Sequence, residues 1–97
     1  MSQVLYTQSA RTDLLEAWSF IAEGSIVAAD NVLDTIDREA SILALQPLMV
    51  RVRTELADGV HSWPTSTPYI LFYLVNDTGI TVLRALHHAR DVQRGSF

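Results

Sequence analysis

Two adjacent histidines, His87 and His88, lie near the end of the stretch YILFYLVNDTGITVLRALHHARD, which also carries Arg84 and Arg90. A third, His61, stands beside Trp63 and Pro64. Histidine, carboxylate and arginine are the side chains with which proteins move protons and hold phosphates. One chemistry open to them is phosphoryl transfer on RNA. Glu55 would be the base, His87 the acid and Arg84 or Arg90 the anion clamp, with Arg51 and Arg53 as further phosphate ligands. The competing reading is a solvated strand end whose surface ion pairs contribute little, and residue types alone favour it. Metal binding has less support. Neighbours on a strand point to opposite faces, there is no cysteine, and no glutamate or histidine stands at zinc-ligand spacing from the pair. No metal and no cofactor is expected. The glycines, Gly24, Gly59, Gly79 and Gly95, are isolated, so neither a phosphate loop nor a nucleophile elbow is present.

Binding is the other use of such residues. Trp63, flanked by His61 and Pro64, falls on a short edge-like segment, and Trp and Arg are the types most enriched at interface hot spots. Trp63 can equally close the core from the side. Charge narrows the choice of partner. The net charge is −4, and all seven cations are arginines. Up to Pro47, Arg11 and Arg38 face Asp13, Glu16, Glu23, Asp30, Asp34, Asp37 and Glu39, a balance of −5. Beyond it, Arg51, Arg53, Arg84, Arg90 and Arg94 face Glu55, Asp58, Asp77 and Asp91, a balance of +1. A chain that grips phosphates gains affinity from each counterion it releases and so carries a basic surplus. This one does not, and nucleic acid is disfavoured as its main substrate. The acidic helices suggest a protein partner with some basic residues, and the apolar sheet edge suggests helix-in-groove or strand-addition contacts.

The elements that must position these residues are readable from patterning. With 97 residues, 48% hydrophobic and 19% charged, the chain reads as one folded domain over residues 1–97. Absence of cysteine suits a reducing cytoplasm. The opening MSQVLYTQSARTDLL lacks the basic start and apolar run of a secretory leader, and the longest apolar run, Tyr69 to Val75, is too short to span a bilayer as a helix. Residues 3 to 7 predict a short strand. Ser9 is the expected cap of a first helix with an apolar stripe of Leu14, Leu15, Trp18, Ile21 and Ala22. Gly24 is expected to stop it in the left-handed conformation, and Ser25 to cap a second helix over roughly 26 to 46. There Ala29, Leu33, Ile36, Ala40 and Leu43 form a row, with Asp30, Asp34, Asp37, Arg38 and Glu39 left mostly to water. Trp18 and the aliphatic row are read as core. Pro47 ends the helix.

From there the period changes to that of strands. Val50, Val52 and Thr54 alternate with Arg51, Arg53 and Glu55, and Ala57-Asp58-Gly59 is a turn. Val60 to Pro64 predicts a short strand whose proline marks an edge. Tyr69 to Val75 predicts a central strand covered on both faces. Asn76 to Gly79 is a hairpin loop, Ile80 to His87 the returning strand, and residues 88 to 97 a loose tail. The expected fold class is α+β: an N-terminal strand, an antiparallel helical hairpin, then a three- to four-stranded antiparallel sheet.

In order and spacing the sequence resembles the ParE branch of the RelE/ParE toxin superfamily of bacterial toxin–antitoxin pairs. Ser9-Ala10, Asp13-Leu14 and Trp18 resemble the family's first helix. Gln46-Pro47, Arg51 and Glu55-Leu56 resemble its "NP…R…EL" segment, and His61 to Pro64 its "RSFP". Tyr69 to Tyr73 is similar to its "Y-x-IFY", Ile80 to His87 to its "IxVxRVLH", and Asp91 to its "RD" ending. The resemblance implies a sheet with a helical hairpin on one side. It also implies a toxin that inhibits DNA gyrase by binding and is neutralised when a ParD-like antitoxin wraps its C-terminal segment around it. The RelE branch instead cuts mRNA on the ribosome. This chain has His61 where many relatives have arginine, Tyr73-Leu74 for a frequent "YR", and Ile70 where ribonuclease members often have arginine. Those departures, with the missing lysines, weigh against RNA cleavage. The expectation is therefore a gyrase inhibitor that is not an enzyme, with Arg51, Arg53, Trp63, Tyr73, Arg84, His87 and Arg90 meeting the target or the antitoxin. The alternatives are a ribosome-dependent ribonuclease using Glu55, His87 and Arg84, or an inactive homologue retained for antitoxin binding.

Overall fold

A computed structural model of the chain describes residues 3–46 and 59–89. Within them the order is β1 (Gln3–Tyr6), α1 (Gln8–Ala22), α2 (Ile26–Leu45), β2 (His61–Pro64), β3 (Tyr69–Asn76) and β4 (Gly79–His87). The expected strand at residues 50–55, the Ala57–Asp58 part of the next turn, Pro47 and the tail from Arg90 lie outside the described residues. The α+β expectation holds, with one correction to the sheet. It has four strands in the order β1-β4-β3-β2 and is mixed, because β1 lies parallel to β4 while the other pairs are antiparallel. A chain that leaves the first strand through a helical hairpin can re-enter the sheet on either side of it. Here β4 closes against β1 in the same direction.

The helices start where a hydroxyl can take an orphan amide. For α2 this is Ser25, as expected, accepting from Ala28 N at 3.1 Å. For α1 it is Thr7 and not Ser9. Thr7 Oγ1 accepts from Ala10 N at 3.1 Å and donates to Leu83 O at 2.8 Å, so one hydroxyl caps the helix and ties it to β4. Helix α1 ends without a left-handed residue: Gly24 has no positive φ, and its amide bonds Ile21 O at 3.0 Å. The buried stripe of α1 is also displaced from the expected one. It is Ala10, Asp13 and Ala17, with Leu14 and Ile21 half-buried, whereas Leu15 is 64% exposed. Trp18 is only half-buried. Its indole N–H donates to Asp30 Oδ1 at 2.9 Å, so it bridges the helical pair from outside.

In α2 the buried side is Ala29, Ile36, Ala40, Leu43 and Ala44, which is the predicted row except that Leu33 is half-buried and Ala44 joins it. The helical pair packs on one face of the sheet over Leu71, Tyr73, Ile80, Val82 and Ala85. A smaller cluster of Val60, Phe72 and Leu86 lies on the other face, which gives β3 the two covered faces expected of it. Register slips between Phe72 and Tyr73, which pair with Arg84 and Val82 and leave Leu83 as an extra residue. Such a bulge inverts the phase of the strand: Ile80 and Val82 face the helices before it, Ala85 after it.

Candidate functional site

Where β1 ends, the upper part of β4 has lost its neighbour, and α1 takes that place. Asp13 is the residue that completes the join. Its Oδ2 accepts from Arg84 Nε at 2.7 Å and from the Ala85 amide at 3.1 Å, and its Oδ1 accepts from Arg84 Nη2 at 2.9 Å. The Asp13 side chain is 6% exposed and that of Arg84 18%. A two-pronged carboxylate–guanidinium pair of this kind is short and directional. The hydrogen bonding to Asp13 is the main reason why the guanidinium holds its proton more tightly than a free arginine; burial opposes it, and the charges of Asp13 and Glu16 assist.

Beside this pair a shallow cleft of about 160 Å³ is lined by Asp13, Glu16, Ala17, Tyr69, Ala85, Leu86 and His87. Tyr69 meets the His87 ring edge-on at 5.4 Å, and burial raises the Tyr69 pKa. His87 Nδ1 accepts from the Ala89 amide at 3.1 Å, which assigns the proton of the neutral ring to Nε2. The expectation that His87 and His88 point to opposite faces fails. The strand ends at His87, His88 stands in the following turn, and the two rings stack with centroids 4.6 Å apart. Among the described residues no three His, Cys, Asp or Glu side chains converge as metal ligands.

At the far margin of the sheet, Trp63 on edge strand β2 donates its indole N–H to Glu39 Oε1 at 2.8 Å. Glu39 Oε2 accepts from the Ser66 amide at 3.1 Å and from the Ser66 hydroxyl at 2.6 Å. One carboxylate thus fastens the edge strand and its following turn to α2. Burial opposes ionisation of Glu39, but the Ser66 and Trp63 donors, aided by Arg38, outweigh it and hold the carboxyl below its ordinary 4.5. Trp63 also packs partly on the core and borders a recess of about 220 Å³ with Ile42 and Leu43.

The candidate residues therefore do not form one site. Arg84 and His87 share the α1–β4 corner. Trp63 lies on β2, at the opposite margin from β1. Tyr73 is fully buried, stacked on His61 with centroids 5.1 Å apart, and burial pushes its pKa up to about 12. Arg51, Arg53, Glu55 and Arg90 lie outside the described residues. Sequence reasoning missed Asp13 and Glu39 as partners. The available signal for Asp13 was its place between Ala10 and Ala17, at the spacing of one helix face.

Comparison with known proteins agrees with this geometry. A sequence model of the ParE toxin of type II toxin–antitoxin systems (parDE) matches residues 4–92. Among curated proteins none matches. Among solved structures, a chain of the chromosomal ParDE TA system from P. aeruginosa is similar, with a TM-score of 0.74 and 18% identity. The match covers 90% of this chain and 96% of that one. At that identity the likeness is one of fold: the strand, the helical pair and the sheet are shared, while the sequence model supplies the kinship. With the family pattern running through nearly every element described above, the chain belongs to the ParE toxin family of type II toxin–antitoxin systems.

Proposed function

We propose that this chain is the toxin of its pair, that it inhibits DNA gyrase by binding and not by catalysis, and that a ParD-like antitoxin encoded beside it masks it in the cytoplasm. Residues 1–97 act as one toxin domain in this reading, without a cofactor and without contact to membrane or nucleic acid of its own. Family membership supports the toxin role. The observation that favours binding over RNA cleavage is the Arg84–Asp13 pair. The arginine that a ribonuclease would use as its phosphate clamp is held by a buried carboxylate through two hydrogen bonds. The acidic balance of the chain points the same way.

A supercoiling assay with purified gyrase tests the proposal. Inhibition that is relieved by the product of the neighbouring gene is the expected result. No effect at large excess would remove gyrase as the target. A ribosome-dependent mRNA cleavage assay on the parent, Glu55→Ala and His87→Ala chains would then decide between a RelE-type ribonuclease and an inactive homologue.

A further inference from the structure

The cleft at the α1–β4 corner holds polar groups that the fold itself does not use. Glu16 is exposed, and its carboxylate makes no hydrogen bond or ion pair among the described residues. Tyr69 is only 8% exposed, yet its hydroxyl has no hydrogen-bond partner among them either. Among the described residues no side-chain polar atom sealed from solvent lacks a partner. The unpaired Tyr69 hydroxyl therefore opens onto the surface, and the cleft is the surface that Tyr69 lines. A phenol enclosed on almost every side and left without a partner is uncommon, because buried polar groups are ordinarily hydrogen-bonded. The other walls are apolar or aromatic. Ala17, Ala85 and Leu86 are buried, and the His87 ring has its centroid 5.4 Å from that of Tyr69. Phe20 follows Glu16 by one helical turn on the same side of α1 and is 70% exposed.

We infer that this cleft is a binding site for a guanidinium group, carried either by a free arginine-like molecule or by an arginine side chain of another protein. The inference goes beyond the gyrase and antitoxin reading and does not depend on it. Charge selects a cation. Asp13 is already neutralised by Arg84, so Glu16 is the unpaired charge among the described residues that line the cleft, and it would repel a phosphate or a carboxylate. Arg84 feels the charge of Glu16, but its Nε and Nη2 are directed at Asp13. Size and shape select the guanidinium. The cleft of about 160 Å³ is smaller than the roughly 300 Å³ at which pockets begin to enclose a whole small ligand, so it takes one head group. A guanidinium is planar and weakly hydrated and lies well against aromatic and apolar walls, whereas an ammonium is compact and holds its water. Two of its N–H groups can meet the Glu16 carboxylate as a fork and a third can meet the Tyr69 oxygen. The aliphatic stem then leaves over Phe20.

Titration of the full chain with N-acetyl-arginine amide, followed by amide NMR at constant ionic strength, tests this beside the same titration with N-acetyl-lysine amide. The arginine compound should shift the Glu16, Ala17, Ala85 and His87 amides saturably in the millimolar range, and the lysine compound should bind at least about fivefold more weakly. Glu16→Gln and Tyr69→Phe should each weaken binding of the arginine compound about five- to tenfold. Tyr69→Phe should do so at an unchanged melting temperature, because the hydroxyl it removes has no partner within the fold; a merely structural role would not give that split. A glycine-flanked arginine peptide that binds about tenfold tighter than the capped amino acid would assign the site to an arginine of another protein, and equal affinities would assign it to a free guanidinium compound; both results support the site. Shifts that do not saturate, equal binding of the arginine and lysine compounds, or binding indifferent to both variants would overturn the inference.

Discussion

Asp13 offers the sharpest test of how this fold is held together. Substituting alanine removes the acceptor of three hydrogen bonds, from Arg84 Nε, Arg84 Nη2 and Ala85 N. It leaves a guanidinium whose side chain is 18% exposed and an amide that β1 no longer reaches. Breaking a buried pair by removing one partner costs roughly 3–5 kcal/mol. Arg84 keeps some access to water, so the lower end, about 3 kcal/mol, is the expected loss. In a domain of this size each kcal/mol moves the melting temperature by roughly 4–8 °C, so Asp13→Ala should melt some ~12–24 °C lower. The assay is thermal and urea unfolding followed by circular dichroism. Asp13→Leu combined with Arg84→Met should recover most of the loss, since an apolar pair of similar volume needs no compensation for buried charge. A loss below about 1 kcal/mol for Asp13→Ala, typical of an exposed ion pair, would refute the reasoning. So would a double variant no more stable than Asp13→Leu alone.

Three further outcomes follow from the same geometry. Gly79→Ala should cost at least about 2 kcal/mol, because a Cβ there would fall 2.0 Å from Gln3 O and 2.7 Å from Gln3 N and force β1 off β4; an unaltered urea midpoint would refute it. Glu39 titrates below 4.5 when folded, so its contribution is complete above that pH and is lost as pH falls through the folded value. Relative to Glu39→Gln, the parent should therefore lose stability below about pH 4.5, and a difference that stays constant down to pH 3 would contradict this. All three tyrosines, Tyr6, Tyr69 and Tyr73, have pKa values raised above 10: burial is the main cause in each, and Tyr6 also donates to Asp37. Their contribution is complete below pH 10 and lost as pH rises through the folded values, so tyrosinate absorbance should lag behind that of the free amino acid and appear together with alkaline unfolding. Reversible ionisation near pH 10 with intact circular dichroism would count against it.

Much of this architecture is legible in local pattern. The row of α2, the Ser25 cap, the edge position of Pro64 and the two-sided burial of β3 all follow from period and turn chemistry, which act over a few residues. What escaped was decided at long range. Thr7 and Ser9 are both good caps, and Thr7 prevails because its hydroxyl also reaches Leu83, 76 residues away. Asp13 reads as one more solvated charge until Arg84, 71 residues on, is seen to be its partner. Leu15 loses its expected place in the core to that same aspartate. Glu39 likewise leaves the solvated face because Trp63 and Ser66 arrive from another element. The surroundings of the candidate residues were less legible than the fold. Residue types nominated Arg84 and Tyr73 as contact residues, but type carries no information on whether a guanidinium is already paired or a phenol already enclosed.

The parallel pairing of β1 with β4 also bears on when the molecule comes into being. A chain is made from its N-terminus, and β1, at Gln3–Tyr6, must wait for β4, at Gly79–His87. Closing so long a loop is entropically costly and slow compared with zipping the β3–β4 hairpin. A nascent chain thus carries its first strand, and the α1 start that Thr7 and Asp13 pin to β4, without a place to put them until β4 has been made. Premature termination before Gly79 would leave β1 with no neighbour.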